Sequence, residues 1–99
     1  MYLKIHNIPG QGEVIAVCDR ELLNTTLTCP TCDIIIDPGF YGDTLASETD
    51  VLAALTASVN ANIIGKRVCD LAIAAGLIDK ESCIMIGDIP HAQIYGLGP

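Results

Sequence analysis

Hydrophobic and polar residues alternate at the start of the chain and then give way to a nearly continuous apolar run. Leu3 and Ile5 alternate with polar neighbours over residues 1–8, a pattern typical of a strand with one buried face. Residues 13–18 (EVIAVC) are almost wholly apolar, which indicates a strand buried on both faces. The turn at residues 9–12 is short enough to join the two. These segments predict a hairpin whose second strand lies inside a sheet.

In the second half of the chain the apolar residues change to helical spacing. Ser47, with Asp50 three residues later, is typical of a capping-box helix start. Two apolar stripes follow, one made of Val51, Leu52, Leu55 and Val59 and the other of Ile64, Val68, Leu71, Ala72 and Ala75. Residues 60–65 (NANIIG) separate the stripes. We therefore expect two helices, with Asn60 or Asn62 as the N-cap of the second.

Strand-like segments return after the second helical stripe. Gly76 is placed as a C-terminal helix cap, and residues 83–86 (CIMI) predict a buried strand. Residues 91–95 alternate again and predict a last strand. The order of elements predicts an α+β fold in which two helices pack on one face of a small, mostly antiparallel sheet. A chain of 99 residues has room for a single domain, residues 1–99.

The composition indicates a chain that folds in a reducing compartment. Hydrophobic residues make up 51% of the chain and aromatic residues only 4%, so aliphatic side chains must fill the core. Five cysteines, an odd number, are scattered through apolar segments, which argues against a disulfide scaffold. There is no signal-peptide pattern and no apolar run long enough to span a membrane. We expect a cytoplasmic protein without a membrane partner, and the high hydrophobic content is compatible with a homodimer.

The charge balance bears on the choice of partner. Twelve acidic residues against five basic residues give a formal net charge of −7. Nucleic-acid backbones are neutralised by clustered Lys and Arg, so direct nucleic-acid binding is disfavoured. A protein or a ribonucleoprotein is the expected partner.

Five short motifs run along the chain in a fixed order. They are AVCD at 16–19 followed by ELL at 21–23, FYG at 40–42, NIIG at 62–65, GLID at 76–79 and IPHAQ at 89–93. Together they resemble an archaeal family catalogued as domain of unknown function 424, over nearly the whole chain. The resemblance implies a small archaeal cytoplasmic protein whose family has no established activity. The chain departs from the family pattern at the turn 29–32 and at Asp43, where a second glycine is usual.

The turn Cys29-Pro30-Thr31-Cys32 is the most chemically suggestive motif. Two cysteines at this spacing can direct both sulfurs at one Zn²⁺ ion, but a structural zinc site needs two further ligands. Cys18, Cys83, His6 or His91, or a second subunit, are the candidates. A redox role needs the first cysteine at a helix N-terminus, whereas a β-prone segment follows this turn. Ordinary hairpin thiols without a cofactor are the expected state, with zinc as the alternative.

The last strand carries a polar face made of His91, Gln93 and Tyr95. Imidazole, amide and phenol groups on one face form a plausible recognition surface. Tyr2, Lys4 and His6 extend it if the first strand lies nearby. The alternative is that His91 only bonds a neighbouring loop and Gln93 faces water.

Two further motifs supply candidate binding residues. Asn62 and Gly65 lie one helical turn apart, as a cap and a glycine that permits close approach, and free amides at a helix start can also bind an anion. The segment Phe40-Tyr41-Gly42 is predicted to be a loop in which Phe40 is buried and Tyr41 is exposed for contact with a partner.

These residues lead to three functional hypotheses. The first is a non-enzymatic binding module that uses the polar strand face and the aromatic loop, in translation or another information-processing step. The second is a small-molecule-binding protein or enzyme with a pocket near Cys18, Asn62 and His91, in which a Cys18–His91 dyad is the one candidate for nucleophilic catalysis. The third is a structural protein bridged by metal at Cys29 and Cys32.

Overall fold

The computed structural model describes residues 1–10, 12–28, 30 and 33–95, and within them the chain forms seven strands and three α-helices. The strands are β1 (Tyr2–Ile8), β2 (Gly12–Cys18), β3 (Thr26–Thr28), β4 (Asp33–Ile35), β5 (Asn60–Ile64), β6 (Ile84–Ile86) and β7 (Ile89–Tyr95). The helices are α1 (Pro38–Tyr41), α2 (Glu48–Ala57) and α3 (Lys66–Ala74). No helix among the described residues is long and apolar enough to cross a membrane.

The main sheet is mixed and has the strand order β1-β2-β5-β7-β6, while β3 and β4 form a separate two-stranded sheet. The predicted β1–β2 hairpin is confirmed, with Leu3 opposite Val17 and Ile5 opposite Ile15. Pairs β5–β7 and β6–β7 are also antiparallel, whereas β2 and β5 run parallel. The α+β class is therefore confirmed, but the sheet contains a parallel pair that the sequence did not predict.

The segment 60–64 is the main correction to the predicted element order. It forms β5, so neither Asn60 nor Asn62 is a helix N-cap. Ala61 and Ile63 alternate with the two asparagines, which suits a strand, and β2 and β7 flank the segment on both sides. The long connection from the end of β2 makes the parallel pairing possible, because parallel strands need a crossover of a dozen or more residues.

Two buried clusters lie on the two faces of the sheet, because neighbouring residues of a strand point to opposite faces. The first contains Ile15, Val17, Ala61, Ile63, Ala92 and Ile94 from the strands, Val51 and Leu55 from α2, and Val68, Cys69 and Ala72 from α3. The second contains Ala16, Cys18 and Ile64 from the strands together with Leu22, Ile36 and Tyr41. Every central strand is thus covered on both sides along part of its length.

Local capping fixes the ends of the helices largely as predicted. The Ser47 hydroxyl oxygen accepts a hydrogen bond from the Asp50 amide at 3.1 Å, which begins α2. At the end of α3, the Gly76 amide donates to the Ile73 carbonyl and the Leu77 amide donates to the Ala72 carbonyl. This is a Schellman motif, and Gly76 adopts the positive φ of 76° that it requires.

Strand β6 differs from the buried strand predicted at 83–86. It lies at the edge of the sheet, and the side chains of Ile84 and Met85 are 66% and 58% exposed. A short apolar run predicts a strand but does not reveal whether the strand has neighbours on both sides. Ile84 and Met85 are therefore on the surface, whereas Ile86 packs against the second buried cluster.

Candidate functional site

A chain of hydrogen bonds links three polar residues on β5 and β7. The antiparallel register places Asn62 opposite Gln93. The Gln93 side-chain amide donates to the Asn62 side-chain oxygen at 2.9 Å, and the Tyr95 hydroxyl donates to the Gln93 side-chain oxygen. Gln93 and Tyr95 are exposed, so these bonds hold polar groups in a fixed orientation at the surface. The structure thus brings Asn62 together with two residues of the predicted polar face.

His91 lies on the same sheet face, between Ile64 of β5 and Ile84 of β6. It is half-buried, and burial lowers the pKa of its imidazole below the ordinary value, so the ring is neutral at physiological pH. A shallow groove of about 440 Å³ runs along this face, lined by Ser82, Ile84, His91, Ala92, Gln93 and Tyr95. Its described lining side chains carry no formal charge.

The polar residues of β1 occupy the opposite edge of the sheet. Strands β2 and β5 separate them from the groove, so Lys4 and His6 do not extend it. The Lys4 ammonium group donates to the Gly39 carbonyl at 3.1 Å. The His6 ring stacks on Phe40 with centroids 5.0 Å apart, and its Nε2 lies 2.7 Å from the Phe40 carbonyl oxygen and must donate to it. Both side chains therefore hold α1 against the sheet.

The predicted exposure of the two neighbouring aromatic residues is wrong. Tyr41 is 7% exposed and belongs to the second buried cluster, whereas Phe40 is 37% exposed. Burial raises the pKa of Tyr41 to about 12. The segment forms the helical turn α1, begun by the Asp37 side chain, and the direction of that turn points Tyr41 inward. Gly42 is also buried, and a Cβ there would lie 3.2 Å from the Leu3 carbonyl oxygen.

A buried carboxylate that sequence reasoning missed begins helix α3. Asp19 follows β2 directly and is 3% exposed. Its two carboxylate oxygens accept hydrogen bonds from the amides of Arg67 and Val68, each at 2.9 Å. Burial raises the pKa of this carboxyl above its ordinary value, and the two amide bonds oppose the rise. The position of Asp19 in the sequence suggests a cap for the single 3₁₀ turn Arg20–Leu22 that follows it, but the Asp19 side chain makes no capping hydrogen bond to that turn.

Gly65 is the residue that allows Asp19 to approach α3. A Cβ at this position would lie 2.3 Å from the Asp19 Cγ atom. The backbone of Gly65 (φ 124°, ψ 152°) also lies in a region that only glycine adopts readily. Because Asp19 already occupies the amides at the start of α3, the anion site considered for this helix start is filled by the chain itself. The sequence carried one signal of this contact: Gly65 stands directly before α3, so the helix has no side-chain cap of its own.

The Cys18–His91 dyad is not formed. The two residues share a sheet face, but Ile64 lies between them and the Cys18 side chain is fully buried. Burial and the adjacent Asp19 carboxylate raise the pKa of the Cys18 thiol to about 11, which disfavours a thiolate nucleophile. Neither Cys18 nor Tyr41 lines the groove beside His91. The residues of the proposed pocket therefore do not converge on that groove.

The predicted metal ligands Cys29 and Cys32 lie outside the described residues. Among residues 1–10, 12–28, 30 and 33–95 there is no group of three or more His, Cys, Asp or Glu side chains able to hold a metal ion. Cys18, Cys69 and Cys83 are free thiols.

Comparison with known proteins places the chain in a family. The family model described as "Protein of unknown function (DUF424)" matches residues 6–97, so the chain belongs to this family, as the sequence motifs predicted. The crystal structure of an uncharacterized conserved protein from Methanopyrus kandleri is similar, with a TM-score of 0.81 and 26% sequence identity over 99% of this chain and 94% of that chain. No curated protein matches significantly.

Proposed function

We propose that this member of the family is a non-enzymatic binding module that takes up an extended segment of a partner protein alongside β6. One observation carries the proposal: the apolar edge strand β6 pairs with β7, and its residue Ile84 lines the same groove as Gln93 and Tyr95, which form a fixed polar row with Asn62. Apolar contacts give such a site affinity, and oriented polar groups give it selectivity.

The open edge of β6 supplies backbone hydrogen-bonding groups. The strand pairs with β7 on one side, and no other described strand pairs with it. An edge strand of this kind is a template for an added strand, because its outward N–H and C=O groups are unpaired. Proteins usually protect such edges with charged side chains, whereas β6 has the sequence Ile84-Met85-Ile86.

Grooves lie on both sides of the same strand. Ile84 lines the polar groove with His91, while Met85 lines a second groove of about 390 Å³ against α3. An added strand would direct its successive side chains alternately to the two sheet faces. Each groove would then receive every second side chain of the bound segment, which is how strand addition obtains specificity.

The charge of the polar groove favours a protein segment over nucleic acid. A phosphate backbone requires Lys or Arg at its contacts, and neither lines this groove among the described residues. Neutral His91 and Gln93 can instead exchange hydrogen bonds with peptide groups and uncharged side chains. The net charge of −7 adds a general repulsion toward polyanions.

Photo-crosslinking in native cell lysate tests the proposal. A photoreactive phenylalanine analogue replaces Ile84, and the matched control carries it at Leu45, an exposed apolar residue bridged to Tyr2 at the far edge of the sheet. We expect a reproducible protein cross-link from position 84 that is absent from position 45 and is lost when an excess of unlabelled wild-type protein competes.

The cross-linked peptide identifies the occupant. A segment of another protein joined to position 84 supports the proposal. Equal cross-linking from positions 84 and 45 contradicts it, and so does exclusive cross-linking to nucleic acid. A cross-link only between two copies of this chain would show that β6 forms a homodimer interface instead.

A further inference from the structure

Both arginines of the chain line one cavity at the end of the main sheet. The cavity has a volume of about 280 Å³, and its lining residues are Met1, Arg20, Leu45, Ala46, Glu48 and Arg67. Arg20 and Arg67 are the only arginines in the sequence, and the chain as a whole carries a net charge of −7. Two guanidinium groups in one cavity of so acidic a chain indicate a place where a carboxylate or another anionic group binds.

The backbone holds the two arginines at the same end of the sheet. Strands β2 and β5 are parallel and end side by side, since Cys18 pairs with Ile64. Arg20 follows the first of these strands, and Arg67 follows the second. The Asp19 carboxylate accepts a hydrogen bond from the Arg67 amide at 2.9 Å, so it ties the two segments together. The region beyond the carboxyl ends of parallel strands is a common location for ligands in such sheets.

Another side of the cavity belongs to the segment that leads into α2. Leu45 forms an isolated bridge with Tyr2. The Ala46 amide donates a hydrogen bond to the Met1 carbonyl oxygen at 2.8 Å. Both contacts hold this segment against the start of β1. Glu48, the first residue of α2, lines the same cavity. The cavity therefore combines two guanidinium groups and one carboxylate with apolar side chains.

The charged side chains of the cavity are exposed to solvent and can take up a ligand. Within the parts of the chain that the structure describes there is a single ion pair, in which Arg67 Nε lies 3.5 Å from a Glu21 carboxylate oxygen. Neither Arg20 nor Glu48 takes part in it. A guanidinium group has five N–H donors and binds a carboxylate through two parallel hydrogen bonds. Arg20 and the terminal amino groups of Arg67 can therefore donate to a ligand, while the α3 amides stay bonded to Asp19.

We propose that this cavity binds a free α-amino acid with an apolar side chain, its carboxylate at Arg20 and Arg67 and its ammonium group at Glu48. One carboxylate balances the guanidinium charge that remains after Glu21 has paired with Arg67. A phosphate group carries a second negative charge, which the Glu48 carboxylate repels. The side chain of the amino acid contacts Leu45, which is exposed. The cavity is smaller than most pockets for drug-sized ligands, which suits a molecule of this size.

This site is independent of the protein-binding surface proposed at β6. Strands β5 and β7 separate β2 from β6. Among the described residues, the cavity shares no lining residue with either groove beside β6. Failure of one proposal therefore leaves the other standing.

Isothermal titration calorimetry of the full-length protein tests the inference. Alanine, valine, leucine, isoleucine and methionine are titrated separately, and the tightest binder is compared with its 2-hydroxy acid and its decarboxylated amine. We expect the amine, which cannot bond the arginines, to bind at least about tenfold more weakly than the amino acid. The hydroxy acid, which lacks the ammonium group, should also bind more weakly. If none of these amino acids binds, or if inorganic phosphate binds more tightly than all of them, the inference is overturned.

Single substitutions locate the binding site. Arg20→Gln and Arg67→Gln should each weaken binding of the amino acid at least about tenfold. Arg67→Gln keeps the backbone amide that bonds Asp19, so the fold should persist, which circular dichroism checks. Glu48→Gln should remove the preference for the amino acid over its hydroxy acid. Lys66→Gln is the matched control, because it removes the same charge beside Arg67 but lines the groove at β6 instead. Equal weakening by Lys66→Gln and Arg20→Gln would overturn the inference.

Discussion

The contact between Asp19 and Gly65 gives the sharpest quantitative prediction. Substituting Gly65→Ala places a Cβ 2.3 Å from the Asp19 Cγ atom, so the carboxylate must move. The bonds from the amides of Arg67 and Val68 are then lost, at a cost of about 2–3 kcal/mol for a cap with buried donors. Non-glycine strain at the Gly65 backbone adds about 1–3 kcal/mol. We expect Gly65→Ala to lower the free energy of unfolding by about 4 kcal/mol in total.

A double-mutant cycle separates the two contributions. Asp19→Ala removes the three atoms that the new Cβ would meet, and we expect it to cost about 2–3 kcal/mol through the lost amide bonds. In that background Gly65→Ala should add only its backbone strain. The double variant should therefore lose about 4 kcal/mol, no more than Gly65→Ala alone, which leaves a coupling energy of about 2–3 kcal/mol relative to additivity.

Urea unfolding followed by far-ultraviolet circular dichroism measures these energies, since the chain has no Trp. Gly76→Ala is the control: Gly76 has a positive φ of 76°, but a Cβ there would meet nothing within 4 Å, so it reports strain alone at about 1–2 kcal/mol. Additive energies for the two substitutions would refute the reasoning. So would a cost of Gly65→Ala no larger than that of Gly76→Ala.

Three smaller predictions follow from single contacts. Ser47→Ala removes the α2 cap and should cost about 1 kcal/mol in urea unfolding, with Ser47→Asp retaining most of the stability. His6→Ala removes the ring that stacks on Phe40 and bonds its carbonyl, and the same assay should show a loss of about 1–2 kcal/mol; no loss would contradict a role in holding α1. The pKa of His91 is lowered in the folded state, so the unfolded state binds more protons between the folded and unfolded pKa values. The contribution of His91 to the free energy of unfolding should therefore be fully present above about pH 6.5 and decrease as the pH falls below that value. His91→Gln should make this decrease smaller, and an unchanged pH dependence in His91→Gln would contradict the prediction.

Local patterns predicted the elements whose causes are local. Alternation over residues 1–18 was sufficient for the β1–β2 hairpin, and Ser47 and Gly76 marked helix ends because each bonds to backbone groups a few residues away. The prediction for residues 60–64 was wrong because the apolar residues of this segment fit a helical stripe and a strand equally well. Its pairing with β2 and β7, which no short window contains, decides between them.

The residues of the candidate site were likewise predicted only where local spacing determines their position. Period-two alternation placed Gln93 and Tyr95 on one face, as observed, because that spacing is a property of any strand. The inward turn of Tyr41 depended on the orientation of α1 against the sheet. The capping of α3 by Asp19 depended on a contact between residues 48 positions apart, which sequence spacing does not encode.

The capping of α3 also bears on where a ligand can bind in this fold. In sheets with parallel strands, ligands often bind where the strands end and a following helix presents free amides. Here β2 and β5 are the parallel pair and α3 follows β5, but the Asp19 carboxylate occupies the amides of Arg67 and Val68. An external anion would have to displace a buried carboxylate that is already bound. The sheet surface that can still bind a ligand is therefore the face opposite α3, where Asn62 of β5 bonds to Gln93 of β7. The open edge of β6 lies next to β7 on the side away from β5.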